Sequence, residues 1–303
     1  MGTETRPSRL LLLAAYGAIY GVWGSTYLAI RFTVRTLPPF LTGGIRFFLA
    51  GLLLYALVRP RTEAPTPRGW LQAHRIGFLA FFLSYGAITW TMVRVPSGVV
   101  ALIVALEPLC FLLTDWFCFQ GPRPVRMELW GLALGFGGTV LLLAGDPNVS
   151  FHGTGGVYLL GALAVLATSF AWVYGSLLTR TAPVHPDGVL AAAMQMIAGG
   201  SQLLLLGTLW GDWKHLGEAS LLSVLSLAYL VVFGSLVAYT AFTWLLKVEP
   251  VSRVATHAFV NPVVAVFLGW LFGGERVGPE TLVAGGLIVG AVVLTLWARK
   301  PEL

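Results

Sequence analysis

The feature that most constrains the fold is a series of long apolar runs separated by short polar connections. A helix needs about 20 apolar residues to cross the hydrocarbon core of a bilayer. Because no soluble domain fits between the runs, the sequence predicts an all-α integral membrane protein with ten transmembrane helices. The ten predicted spans lie near 10–30, 39–58, 75–94, 97–118, 127–145, 156–177, 188–209, 220–246, 251–272 and 278–298.

Charge supports this reading, since only 11% of the 303 residues are charged and 57% are hydrophobic. A soluble domain averages about 25% charged residues. The net charge of +6 could indicate a nucleic-acid partner, but the basic residues are few and scattered between apolar runs, so we expect none. If the chain starts inside, thirteen Lys and Arg residues flank the spans on the cytoplasmic side and five on the other. The positive-inside rule therefore predicts that both termini are cytoplasmic.

The second half of the chain repeats the first. Each half holds five spans, an odd number, so the second copy is predicted to be inverted relative to the first, as in many secondary transporters. We place the repeats at 1–147 and 148–303. A shift of 149 residues pairs Trp23 with Trp172, Arg46 with Gln195 and Gly51 with Gly200, and a shift of 154 pairs Tyr85 with Tyr239 and Pro108 with Pro262.

Two proline-containing pairs lie at matching depths in the repeats. Glu107-Pro108 lies about eleven residues into the fourth span, roughly 16 Å at 1.5 Å per residue and near the bilayer centre. Asn261-Pro262 is its mate in the ninth span. Proline removes a helical hydrogen bond, and irregular backbone at this depth is tolerated only inside protein or beside a wet cavity. Pro108 and Pro262 therefore predict helix breaks around a central site.

The Glu107 carboxyl is the leading functional candidate, because an ionisable group at the bilayer centre is costly without a role or a partner. It could carry a proton, bind an ammonium group of the substrate, or form a structural pair with Arg46. Arg46 in the second span could approach Glu107 or extend toward the membrane surface.

Further candidates surround this centre. His257, one turn before Asn261, either lines the cavity or packs as a neutral ring. Asp115, near the end of the fourth span, is expected to be a solvated helix terminus. Four paired aromatic residues are expected to form walls around a flat or cationic substrate, namely Trp23, Trp172, Tyr85 and Tyr239.

Motifs of other protein classes are missing from the sequence. It contains no phosphate-binding Gly-x-x-x-x-Gly-Lys-Ser/Thr loop, no His-Glu-x-x-His zinc motif and no Gly-x-Ser-x-Gly nucleophile motif. The spacing of Cys110 and Cys118 matches no metal-ligand pattern. We therefore expect no enzyme activity, no metal and no cofactor.

The order of several short motifs resembles the EamA family of the drug/metabolite transporter superfamily. The motifs are Trp-Gly-Ser-Thr-Tyr at 23–27, Arg-Phe at 31–32 and 46–47, Glu-Pro at 107–108, and Gly-Trp-Leu-Phe-Gly-Gly-Glu at 269–275. The resemblance implies a ten-helix carrier of the bacterial cytoplasmic membrane that exports amino acids or other small metabolites from a site between the halves. The first repeat departs from the pattern, because it ends Cys-Phe-Gln-Gly at 118–121 and lacks the Gly-Glu of 274–275.

The residues and the resemblance together predict a secondary transporter that works by alternating access, with or without coupling to protons. Its expected partners are a small polar or amphipathic metabolite and the lipid bilayer. The alternatives are a membrane-embedded enzyme, a sensor subunit that does not transport, and a lipid flippase.

Overall fold

The computed structural model describes residues 8–87, 104, 106–144, 156–273 and 279–298. These residues form helices and connections, with no β-strand among them. The helices are α1 (Arg9–Gly17), α2 (Trp23–Thr33), α3 (Pro39–Val58), α4 (Pro67–Gly77), α5 (Glu107–Cys118), α6 (Arg126–Ala144), α7 (Gly156–Thr181), α8 (Gly188–Trp210), α9 (Leu221–Tyr229), α10 (Ala238–Val248), α11 (Val251–Ala255), α12 (His257–Gly273) and α13 (Pro279–Ala298).

Three of the apolar spans contain a π-helical segment. Ala18–Val22 joins α1 to α2, Phe78–Leu83 follows α4, and Leu230–Val237 joins α9 to α10. A π-helical turn holds more residues than an α-helical turn, so it changes the direction in which the following side chains point. The second segment corresponds, under the 154-residue shift, to 232–237 inside the third.

Several helices are long and apolar enough to cross a membrane. The prediction of an all-helical membrane protein is confirmed at this level, and the bounds of α3 and α8 agree closely with the predicted spans 39–58 and 188–209. The first part of the predicted span 97–118 lies outside the described residues. The five long apolar stretches within the described residues are Arg9–Ile30, Pro39–Arg61, Leu163–Thr181, Gly188–Trp210 and Leu221–Val248, and a shorter one is Leu282–Ala298.

Polar side chains satisfy the backbone at several helix starts. Thr66 accepts a hydrogen bond from the Gly69 N–H at the start of α4, and the Asp187 carboxylate accepts from two N–H groups of α8. Asp212, which follows α8, accepts from the Leu41 N–H at the start of α3. Such bonds supply the acceptors that the first turn of a helix lacks, and the last one also joins the end of α8 to the start of α3.

Helices α3 and α8 pack antiparallel in close contact through glycine. A methyl group on Gly51 would lie 2.7 Å from the backbone nitrogen of Ile197, and one on Gly200 would lie 2.4 Å from that of Phe48. Small residues at such positions let two membrane helices approach backbone to backbone. The two contacts are reciprocal, since the 149-residue shift turns Gly51 into Gly200 and Phe48 into Ile197.

A second glycine-lined contact joins α6 to α13. Gly131 faces Thr295, and Gly138 faces Ile288 and the Ala284 carbonyl. These contacts bring the last helix of each predicted repeat together, away from the core formed around α3 and α8.

Candidate functional site

A cluster of rings from four helices lies at the centre of the described bundle. The Trp23 ring lies 6.1 Å from the Trp172 ring, 5.0 Å from Phe242 and 5.1 Å from His257, measured between centroids. Trp172 stacks on Phe242 at 5.5 Å with an interplanar angle of 17°. The predicted pair Trp23 and Trp172 is thus in direct contact, and its two members are mates under the 149-residue shift.

The π-helical segment 230–237 anchors two of the predicted residues. The Trp23 indole N–H donates to the Gly234 carbonyl at 2.9 Å, and Arg46 Nε donates to Ser235 Oγ at 2.7 Å. A methyl group on Gly234 would lie 3.0 Å from a terminal nitrogen of Arg46, so the glycine leaves room for the guanidinium. Arg46 and Trp23 therefore bond to two adjacent residues of this segment.

Arg46 is buried, with 6% of its surface exposed. It does not extend to the membrane surface, and within the described structure it forms no ion pair with Glu107. The Tyr85 ring packs against Gly43 and lies 5.9 Å from the Phe47 ring on α3, close enough to Arg46 for the two to interact electrostatically. Tyr85 and Arg46 thus form one unit between the second and third spans.

The second half of the chain contains a corresponding pair. The Tyr239 hydroxyl donates to Gln195 Oε1 at 2.8 Å, and both residues are buried. Tyr239 is the mate of Tyr85, and Gln195 is the mate of Arg46. A tyrosine of the third span of each half therefore faces a polar residue of the second span, and Tyr239 also lies 6.3 Å from the Phe242 ring of the central cluster.

Glu107 is the first residue of α5 and is 8% exposed. Pro108 follows it in the first turn, where the missing N–H of proline costs nothing because that turn has no intrahelical acceptor. Leu106 is a turn residue, so the helix begins at Glu107 instead of passing through it. The Glu107 carboxylate has no hydrogen-bond or ion-pair partner in the described part of the chain. Phe111, one turn later, contacts Phe242 and His257 and places this helix face beside the central cluster.

His257 presents an acceptor to that cluster. Its Nδ1 lies 2.9 Å from the Val254 carbonyl oxygen. A carbonyl oxygen can only accept, so we assign the proton to Nδ1 and a lone pair to Nε2. Nε2 can then accept a hydrogen bond from a donor that enters between the rings.

Asn261 is held by backbone groups of two spans. Its amide lies 3.1 Å from the Ile19 carbonyl oxygen and 3.2 Å from that of His257, so the amide nitrogen faces these oxygens and donates to both. Helix α12 continues through Pro262, and the interruption of the ninth span lies at Thr256, between α11 and α12. This differs from the break expected at Pro262, since the turn lies six residues before the proline and α12 runs on through it.

Hydrogen bonds join the first span to the end of α10 and the start of α12. The Tyr16 hydroxyl donates to Glu249 at 3.2 Å, and Arg253 donates to the same carboxylate oxygen at 3.3 Å. Tyr20 and Thr256 share a hydrogen bond of 2.6 Å. We call these five residues the tyrosine tie. It was not predicted from the sequence, although Tyr16 and Tyr20 stand four residues apart on one helix face.

Asp115 differs from the solvated terminus that was expected. It is 6% exposed, and its carboxylate accepts from Arg180 of α7 at 2.8 Å. The cause is tertiary, since α5 and α7 pack together and bring the half-exposed Arg180 side chain over the end of α5. No local signal in the sequence identifies this partner.

The sequence matches a known protein family and several known transporters. The model of the EamA-like transporter family matches residues 9–144 and again residues 157–297. The chain is 36% identical over 302 residues to the uncharacterized inner membrane transporter YedA of Escherichia coli (strain K12), and the match covers 96% of this chain and 94% of YedA.

More distant relatives cover similar shares. The uncharacterized transporter YvbV of Bacillus subtilis (strain 168) is 25% identical, with coverage of 97% and 94%, and a probable amino-acid metabolite efflux pump of Escherichia coli (strain K12) is 24% identical, with 92% of each chain covered. One solved crystal structure superposes with a TM-score of 0.76 at 24% identity, covering 96% of this chain and all of the other. At that identity the superposition indicates a shared fold.

Proposed function

The chain belongs to the EamA-like transporter family, as its motifs predicted, and from this premise we propose that it is a secondary transporter that exports amino acids or related small metabolites. Efflux is supported by the relative named as a probable amino-acid metabolite efflux pump. Location in a bacterial cytoplasmic membrane is supported by the inner-membrane relative YedA. The proposed mechanism is alternating access of a central site.

The proposal includes ten spans arranged as two inverted repeats at 1–147 and 148–303. It is supported by the reciprocal contacts of Gly51 with Ile197 and of Gly200 with Phe48. An isologous contact of this kind arises when two equivalent surfaces meet across a two-fold axis. The ring contact between Trp23 and its mate Trp172 is the other contact expected on such an axis.

The observation that carries the site assignment is the meeting of charged, hydrogen-bonding and aromatic groups at this axis. Arg46 offers buried guanidinium N–H groups suited to a carboxylate, because a guanidinium presents several donors in one plane. Glu107 offers a carboxylate for an ammonium group or for a proton. The ring cluster of Trp23 and Trp172 supplies an apolar wall, and His257 Nε2 supplies an acceptor. This set matches the two charges and the side chain of an amino acid.

We assign closure of the central site toward the cytoplasmic side of the membrane to the tyrosine tie. With both termini in the cytoplasm, as the distribution of basic residues favours, the tie lies on the cytoplasmic side of the ring cluster. It draws the first span against the ends of α10 and α11, so the described conformation is closed to the cytoplasm. Opening requires the loss of the bonds from Tyr16 and Tyr20.

Flux of radiolabelled amino acids into proteoliposomes, with and without an imposed pH gradient, tests the function. We expect uptake that increases with the gradient and is abolished in Glu107→Gln, which keeps the shape of the side chain and removes its charge. Glu63→Gln, at an exposed position of the connection before α4, is the matched control and should transport like the wild type.

The other outcomes separate the alternatives. Uptake that ignores the gradient but is lost in Glu107→Gln assigns Glu107 to substrate binding in a facilitator. Binding of an amino acid without flux favours a sensor subunit, and its chemical conversion favours an enzyme. Transfer of a labelled phospholipid between leaflets, with no amino-acid flux, favours a flippase. Wild-type flux in Glu107→Gln removes Glu107 from the mechanism.

A further inference from the structure

A groove of about 320 Å³ opens sideways on the bundle, apart from the central site. It lies between α2, α9 and α12, and its walls are mainly Leu28, Phe32, Leu225, Leu268 and Phe272. Leu225 and Phe272 are exposed, at 59% and 71%. Because all three helices belong to apolar spans, the opening faces the interior of the membrane. Pockets of this volume lie at the lower end of the range that holds organic ligands.

The groove has a polar collar at one end. Thr36 donates to Ser223, and Ser223 donates to the Phe32 carbonyl, which joins the end of α2 to the start of α9. Arg35 is exposed, and its guanidinium lies 5.0 Å from the centroid of the Phe32 ring, which lines the groove. The Arg35 guanidinium therefore lies directly beside this end of the apolar groove.

The other end of the groove closes on a pair of hydroxyls. Ser25 and Tyr229 share a hydrogen bond of 2.6 Å, and the Ser25 hydroxyl also lies 2.7 Å from the Val22 carbonyl. Since that carbonyl accepts the Ser25 proton, the Tyr229 proton goes to Ser25. Both protons are used inside the protein, so this end presents no donor that could bind an anionic group.

Length and charge together identify the occupant. From Ser25 to Phe32 the groove runs about 10 Å along α2, at 1.5 Å per residue, which is roughly a third of the hydrocarbon core. That depth lies within one leaflet. We propose that the groove binds one acyl chain of an anionic phospholipid, with the lipid phosphate against Arg35. A water-soluble metabolite is a poor match, because the walls are apolar and the cation stands outside them.

Native mass spectrometry of the purified full-length chain, titrated with phosphatidylglycerol, tests this site. We expect one lipid to bind more tightly than those that follow. Arg35→Gln should weaken the first binding step roughly fivefold, since a basic residue near a membrane surface contributes about 1 kcal/mol toward an anionic lipid. Leu225→Trp, at an exposed position on the rim, should fill the groove and remove the tight step.

Two matched controls keep the test specific. Lys214→Gln removes an exposed cation from the connection before α9, and Leu209→Trp adds an indole to an exposed position of α8. Both should bind lipid like the wild type. Equal losses in the controls and the test variants would show non-specific surface lipid and overturn the proposal. Unchanged binding in both test variants, or a dimer mass in place of a lipid-bound monomer, would overturn it as well. None of these results depends on amino-acid flux.

Discussion

Replacing Gly200 by alanine gives the sharpest test of the packing between α3 and α8. The new methyl group would lie 2.4 Å from the backbone nitrogen of Phe48, 2.8 Å from its Cα and 2.9 Å from its Cβ. Ordinary contacts are about 3.5–4.0 Å, so the helices must separate by roughly 1 Å. Backbone atoms cannot rotate away as a side chain can, and the cost of overpacking therefore lies near the upper end of the usual 1–3 kcal/mol.

Part of this cost is offset by helix propensity, because alanine is favoured over glycine by up to about 1 kcal/mol in a helix. The net loss expected for Gly200→Ala is about 2 kcal/mol. Thermal denaturation of the detergent-solubilised protein, followed by loss of the monodisperse peak in size-exclusion chromatography, should show a melting temperature lowered by about 4–8 °C.

The control is Gly137→Ala on α6, where a methyl group would meet nothing within 4 Å. It should leave the melting temperature unchanged or raise it slightly. Gly51→Ala should act like Gly200→Ala, since a methyl group there would lie 2.7 Å from the Ile197 nitrogen. Wild-type stability in both Gly51→Ala and Gly200→Ala would refute the close contact, and a loss in only one of them would refute its reciprocity.

Two further predictions concern hydrogen bonds between spans. Tyr239→Phe leaves the buried Gln195 oxygen without its donor and should lower the unfolding free energy by about 1–3 kcal/mol, whereas Tyr55→Phe, whose hydroxyl has no partner among the described residues, should cost little in the same melting assay. Tyr16→Phe removes one bond from Glu249 and should speed amide hydrogen exchange at the start of α11, as measured by mass spectrometry. Exchange at the wild-type rate would show that the tyrosine tie does not hold the first span.

Much of the helical layout could be predicted from the sequence, because hydrophobic length alone decides where a helix can cross a bilayer. The bounds of α3 and α8 illustrate this. The helix start at Glu107-Pro108 was also close to the expectation, because proline favours the first turn of a helix.

The choice of partners could not be predicted in the same way. Arg46 bonds to Ser235 instead of Glu107, and Asp115 is buried against Arg180. Both outcomes depend on how neighbouring helices are rotated about their axes, and an apolar span carries almost no sequence signal for rotation. The interruption at Thr256 could not be predicted either, since neither proline nor glycine stands at that position.

The π-helical segment 230–237 changes which side-chain positions face inward along the helical stretch Leu221–Val248. An α-helix advances about 100° per residue, so the extra residue of a π-helical turn shifts by about that angle the sequence positions that share a face before and after it. Before the segment, Leu225 and Tyr229 face the lateral groove; after it, Tyr239 and Phe242 face the rings at the centre. The stretch Leu221–Val248 can thus present α9 to the lateral groove and α10 to the ring cluster in a single unbroken helix.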